Sequence, residues 1–306
     1  MIATRHGGAS HANLRNLVGY AKEAAMFSVE RAIAEARSNF ILPSPPDVLL
    51  RARAICDSDD PSLAELASLI ADDVALSSAI LRVINSPIYG FNRQVSDARQ
   101  ATMLLGLESA SALVASVLIQ QAFVGPSAID FRQFWDESKR VAMAMTHIGA
   151  IIKDRIPLED LYTTGLFHDC GIAAMSIRYQ DTYLECLKDA ARDRTLMLTD
   201  YEDHRYHTTH AVVGYLIANG WKLPRSICKV ILCHHEVAFF DFGANTDENM
   251  MMATLKIADN IVSHLIYGQD DSHWDELKDV YFDQLNMGEN DYLDFREDLS
   301  VLFAKW

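Results

Sequence analysis

Apolar residues recur every three or four positions along almost the whole chain, and nowhere do β-branched residues sustain the period-two alternation of a strand. That pattern restricts the chain to helices packed on helices, because only a 3.6-residue repeat places such residues on one stripe. Residues 10 to 38 read as a long opening helix, with Leu14, Val18, Ala21, Ala25, Val29 and Ile33 in register. The prolines of ILPSPPDV end it at 41 to 48, since proline lacks a donor and drives its predecessor out of the helical region.

Shorter, well-punctuated helices follow. In DPSLAELASLI, Pro61 stands where a first turn tolerates it, and Ser62 with Glu65 forms a capping box ahead of Leu63, Leu66, Ala67 and Ile70. Asp72 or Asp73 caps the next helix, which carries Leu76, Ile80 and Val83 and stops at NSPIYGF. A third runs from near Ser96 to Gly106, and a fourth from Glu108 to about Phe123. FVGPSAID then marks a boundary between a first helical lobe and a second. The second lobe is expected to hold helices over about 131–154, around GLFHDCGI, over 179–194, 208–219, 225–235 and 248–267.

The expected organisation is an N-terminal extension over 1–37, a main domain over 38–270 with its lobes at 38–128 and 129–270, and a tail over 271–306. The tail is acidic and aromatic, with Trp274, Tyr281, Phe282, Tyr292, Phe295, Phe303 and Trp306. Aromatics at helical spacing are packing groups more often than a ligand box, so the tail reads as a helical appendage on the second lobe.

Charge narrows the partners. The net charge is −15, and residues 241 to 306 alone hold 15 Asp and Glu against 4 Lys and Arg. Such a surface repels a polyanion, so nucleic acid is not expected as a partner. No stretch approaches the roughly 20 apolar residues of a membrane span, and the first twenty residues lack a secretory apolar block. A cytoplasmic location with no membrane partner is the expectation. The cysteines number 5, with no CxxC pair, and read as reduced thiols.

The chemistry concentrates in the second lobe. His168-Asp169 follows the apolar Gly165-Leu166-Phe167 and precedes Gly171. Neighbouring side chains on a helix diverge by about 100°, so both reach one ion only at a helix end or kink. His210 then opens one helix, His234-His235 closes another, and Asp259 sits inside a third. Imidazoles and carboxylates facing inward from several helices are how helical bundles hold water-activating transition metals. His6, His11, His204, His207, His264 and His273 read as surface groups.

The chain resembles the HDOD, or HD-related output, domain, a non-canonical relative of the HD-domain metal phosphohydrolases. The resemblance rests on LPSPPDVLLRA, SLAELASLIADDVALSSAILRVINSPIYGF and QVSDARQATMLLGLESA in the first lobe. In the second it rests on FWDESKRVA, GLFHDCGI, HAVVGYLIANGWKLP and ILCHHE. It covers residues 38 to about 240 and implies an all-α, two-lobed multi-helix bundle with an HD-like second lobe, and a bacterial signalling or regulatory role. It further implies that His168, Asp169, His210, His234, His235 and Asp259 stand where HD ligands stand, while Glu137 occupies the place of the first ligand histidine. Manganese, iron or a similar divalent ion is the implied cofactor. Signalling proteins are the implied partners, and a second copy of the chain is a further candidate.

Two departures argue against cyclic-di-GMP hydrolysis of the HD-GYP type: Ile172 stands in the region of that type's lysine, and VAFFDFGANTDE lacks its Gly-Tyr-Pro element. Regulation through protein contacts, with a metal or small ligand at a partly retained site, is therefore the leading expectation. A metal-dependent phosphohydrolase acting on a nucleotide or other phosphate ester is the alternative. That enzyme would need a cation beside the ligands, for which Lys139, Arg140 and Lys222 are the candidates near the motifs.

Overall fold

The computed structural model describes residues 33–34, 36–38, 40, 43–85, 93–153, 155–193, 195–242 and 246–304. Every regular element among them is helical. The opening-helix residues Leu14 to Val29 and most of NSPIYGF lie outside the described residues.

The early helices are α1 (Asp47–Cys56), α2 (Leu63–Ala71), α3 (Val74–Ile84), α4 (Ala98–Leu105) and α5 (Leu107–Ala122). Their boundaries follow from local chemistry. The Ser62 side chain accepts from the Glu65 amide at 3.2 Å, Asp73 from Leu76 at 2.9 Å, and Asp97 from Gln100 at 2.8 Å. Each satisfies a first-turn amide that has no carbonyl partner within its helix. Leu49, Leu66, Ile70, Leu76, Ile80, Leu113 and Ile119 face inward with essentially no exposure.

The later helices begin with α6 (Phe131–Gly149) and α7 (Leu158–Phe167). These two cross closely because Gly165 offers no side chain: a Cβ there would lie 2.6 Å from the Cα of Ala142. Next come α8 (Cys170–Arg178), α9 (Tyr183–Arg192), α10 (Leu198–Tyr206), α11 (His210–Gly220) and α12 (Arg225–Cys233), then a 3₁₀ turn at Val237–Phe242. The 22-residue α13 (Thr246–Tyr267) packs along α6. The tail forms α14 (Trp274–Leu285) and α15 (Glu289–Phe303), joined by the clustered rings of Trp274, Phe282 and Tyr292; they dock on α13, where the Asn260 side chain donates to the Tyr292 hydroxyl at 3.0 Å, and on α6, where Arg140 lies over Phe303.

The buried core is continuous from α1 to α15. Trp221 Nε1 donates to the Pro43 carbonyl at 3.0 Å, tying the early chain to the end of α11. No helix among the described residues is long and apolar enough to cross a membrane.

Two differences from the sequence expectation position the site. The segment GLFHDCGI is a junction of two helices rather than one: His168 caps the C-terminus of α7 and Asp169 the N-terminus of α8. In addition, α10 forms where no helix was expected. Its sequence LTDYEDHRY carries no apolar stripe, so periodicity could not announce it.

Candidate metal centre

The break between α7 and α8 turns two adjacent side chains toward one point. His168 leaves the end of one helix and Asp169 the start of the next, and their Nε2 and Oδ2 atoms stand 3.2 Å apart. Helix α11 crosses α8 very tightly, because a Cβ on Gly171 would meet the His210 carbonyl at 1.9 Å. Any other residue at 171 would push His210 away from Asp169.

Four groups converge there. The ligating atoms of Asp169, His210, His234 and His235 all lie within 4.8 Å of one another. His210 Nε2 is 3.4 Å from Asp169 Oδ1, 3.4 Å from His234 Nε2 and 2.9 Å from His235 Nε2, and His234 Nε2 is 3.2 Å from Asp169 Oδ1. Donors bound about 2.1 Å from a shared ion in tetrahedral or octahedral geometry stand about 3.0 to 3.4 Å apart, so the spacing fits a transition metal.

The outer contacts decide which nitrogen faces inward. His168 Nδ1 donates to the Gly165 carbonyl at 2.7 Å, and His234 Nδ1 to the Ile231 carbonyl at 2.7 Å. His210 Nδ1 lies 2.7 Å from the Glu202 carboxylate. Three imidazoles therefore spend their Nδ1 proton outside the cluster and turn Nε2 toward it. Fixing a ligand histidine through its other nitrogen is the usual support of a metal site.

Glu202 is the member that sequence reasoning missed. It is wholly buried and accepts both the His210 ring and the His210 backbone amide, the latter at 2.8 Å. Its second oxygen accepts from the Tyr183 hydroxyl. Its place in the unanticipated α10 explains the omission; the available signal was a glutamate eight residues before His210 in an otherwise surface-like segment.

Burying these groups is costly unless they are paired, on the order of several kcal/mol for an isolated charge. Burial disfavours a charge on His210, yet Glu202 and Asp169 outweigh it and push its pKa up to about 10. Burial takes His234 down to about 4 against the pull of Asp169, and takes His235 well below the ordinary histidine value with His234 adding to the effect. The Asp169 carboxyl, though disfavoured by burial, is held well below the carboxylate range by His168, His210 and His234. One carboxylate surrounded by imidazole nitrogens is an arrangement that a divalent cation neutralises and bonds at once.

The remaining expected ligands lie outside this group of four. His168 touches the far oxygen of Asp169. Asp259, on α13, is partly buried; burial raises its carboxyl, opposed by the charge of His168. Glu137 accepts from the Tyr267 hydroxyl at 2.5 Å and from Gln133 at 2.9 Å.

A cavity of about 590 Å³ opens at His234 and His235, walled by α9, the 196–198 segment, α13 and the start of α14. None of the three cations singled out from sequence lines it. Lys139 pairs with Asp136, Arg140 stacks over Phe303, and Lys222 lines a separate cavity with Arg53 and Trp221. The Lys or Arg that does line it is Lys256, one turn before Asp259 on α13.

Comparison with known proteins agrees with this architecture. The HDOD domain model matches residues 42–237. A Treponema pallidum (strain Nichols) protein of uncharacterised function is 24% identical over 196 residues, which is 64% of this chain and 38% of that protein. The chain thus spans well under half the length of that relative. Among solved structures, a candidate phosphohydrolase from Shewanella amazonensis SB2B superimposes with a TM-score of 0.65 at 17% identity, covering 90% of this chain and 94% of that one. A candidate signal transduction protein from Marinobacter aquaeolei VT8 gives a TM-score of 0.63 at 13% identity, covering 84% and 56%. At these identities the likeness is one of fold.

Proposed function

This chain belongs to the HDOD family, and from that premise we propose that it is a bacterial cytoplasmic signalling protein acting through contacts with other signalling proteins. In this reading its later helices hold a divalent transition metal, manganese, iron or a similar ion. The observation that carries the reading is the convergence of Asp169, His210, His234 and His235, with Nδ1 of His210 and His234 engaged outside the cluster. When bound, the metal would supply a Lewis acid that holds an oxygen ligand. The protein's own part is to keep Nε2 of His210 and His234 turned inward, through Glu202 and the Ile231 carbonyl. Regulation is favoured over turnover by Glu137, because the place of a catalytic histidine ligand holds a carboxylate engaged by Tyr267 and Gln133.

A second reading, hydrolysis of a nucleotide or other phosphate ester, is supported by the cavity that reaches His234 and His235 with Lys256 on its wall. One experiment separates the two. Untagged protein is analysed for metal beside an Asp169→Ala, His234→Ala variant, and the loaded protein is assayed on a panel of phosphomonoesters. The regulatory reading expects one equivalent of metal, its loss in the variant, and no turnover. Metal-dependent turnover lost in the variant would transfer the conclusion to the hydrolase, and absence of metal from both proteins would remove the metal centre from either reading.

A further inference from the structure

A second cavity, of about 330 Å³, shares no lining residue with the one beside the cluster. It opens where α1 meets the end of α11, so that LPSPPDVLLRA and GWKLP, stretches the metal centre leaves unused, come together there. Leu49 and Trp221 are buried in it, whereas Leu50, Asp57 and Lys222 are exposed at its rim. The Trp221 ring is fixed from two sides: its Nε1 donates to the Pro43 carbonyl at 3.0 Å, and it meets Phe167 edge-on with centroids 5.9 Å apart. The volume is that of a site for a small molecule.

Arg53, half-buried on α1, lines this cavity with an unmet need. Its Nε and Nη2 are buried and have no hydrogen-bond partner among the described residues. Other arginines behave differently: Arg99 pairs with Asp72, Arg155 with Asp247 and Arg205 with Asp189. Nε and Nη2 form one edge of the guanidinium, whose parallel N–H groups match the two oxygens of a carboxylate. Leaving such donors buried and unpaired is costly, so an acceptor that meets them is favoured.

Lys222 supplies an independent sign. The end of α11 is closed by Lys222 N on the Asn219 carbonyl and Leu223 N on the Ala218 carbonyl, both at 3.0 Å. The residue between them must be left-handed, a place usually filled by glycine, and here it is a lysine at φ +56°. Strain of this kind gathers at ligand clamps. Like Arg53, Lys222 forms no ion pair among the described residues, in a chain whose net charge is −15. These two cations against Asp57 leave the cavity with one positive charge in excess.

We propose that this cavity binds a small monocarboxylate with an apolar body, its two oxygens accepting from Nε and Nη2 of Arg53, its charge shared with Lys222 and its body on Leu49 and Trp221. A single carboxylate balances the excess charge, whereas the second charge of a dicarboxylate or a phosphate dianion would face Asp57. No residue of the histidine cluster lines this cavity, so the inference stands apart from the metal reading.

The probes are benzoate, hexanoate, the neutral benzamide, succinate and inorganic phosphate, titrated into the full chain by calorimetry. Benzoate or hexanoate is expected to bind at least tenfold more tightly than benzamide, succinate or phosphate. Arg53→Met is expected to weaken that binding at least tenfold, and Arg53→Lys to recover only part of it, because an ammonium keeps the charge but lacks the fork. Lys222→Gly relieves the strained backbone, so it is expected to raise Tm while weakening the carboxylate at least threefold; this variant serves as the test should Arg53→Met not fold. The Asp169→Ala, His234→Ala variant is expected to bind the carboxylate as wild type does. Equal affinity in wild type and in the Arg53 or Lys222 variants, or binding by neither monocarboxylate, overturns the proposal. Loss of binding in the Asp169→Ala, His234→Ala variant would overturn it by placing the carboxylate at the cluster, and tighter binding of phosphate than of either monocarboxylate would overturn the ligand class.

Discussion

The helices before residue 123 and those after 131 are packed by the same rules, yet they bury different chemistry. Among the described residues, α1 to α5 bury aliphatic side chains with Thr102, Ser109, Ser111 and Ser116 as polar companions. Thr102 and Ser116 return their hydroxyls to carbonyls of their own helices. The later helices bury His168, Glu202, His210 and His234 besides. Short hydroxyls satisfied locally cost little, whereas a buried carboxylate against a buried imidazole is tolerated only inside a complete network. The early helices therefore look optimised for packing, and the later ones give up some of that ease to hold a cluster of donors.

The contrast can be broken most severely at Glu202. Glu202→Ala leaves the His210 ring, its amide and the Tyr183 hydroxyl without their acceptor, and is expected to cost about 3 to 5 kcal/mol in urea unfolding. Glu202→Gln, which keeps the volume, should unfold less readily than Glu202→Ala but bind metal about 10- to 100-fold more weakly, because the support of His210 is altered. Unchanged metal affinity in Glu202→Gln would show that His210 does not depend on this contact.

A comparable loss of stability in the early helices should leave the site untouched. Leu66→Ala removes a fully buried side chain and is expected to cost about 2 to 5 kcal/mol through transfer and cavity terms. Metal content at a temperature where the variant remains folded should match wild type. A parallel drop in metal would mean that the two regions are coupled more tightly than their separate chemistry suggests.

The smallest effect is expected at Glu137. Its carboxylate is partly exposed and bonded to Tyr267 and Gln133, so Glu137→Ala should change stability by about 1 kcal/mol or less. Metal stoichiometry is expected to stay the same. Loss of metal in that variant would make Glu137 a ligand and strengthen the hydrolase reading.

Much of this was written locally along the chain. Helical class and the caps at Ser62 and Asp73 depend on residues within a turn or two of each other, and periodicity with capping chemistry reports such effects. The pairing of His168 with Asp169 at a helix end was also legible, because adjacent side chains on an unbroken helix cannot serve one ion.

Tertiary structure alone decided the rest. Helix α10 has no apolar stripe and is held by the contacts of Glu202, so its existence and the support of His210 are properties of packing. Lys256, and not Lys139, Arg140 or Lys222, came to line the cavity beside the cluster, through the way α13 lies along it. Sequence spacing fixes which residues share a helix face, whereas which faces meet depends on how volumes fill a common core, as at Gly165 and Gly171 where only a missing side chain lets two helices touch.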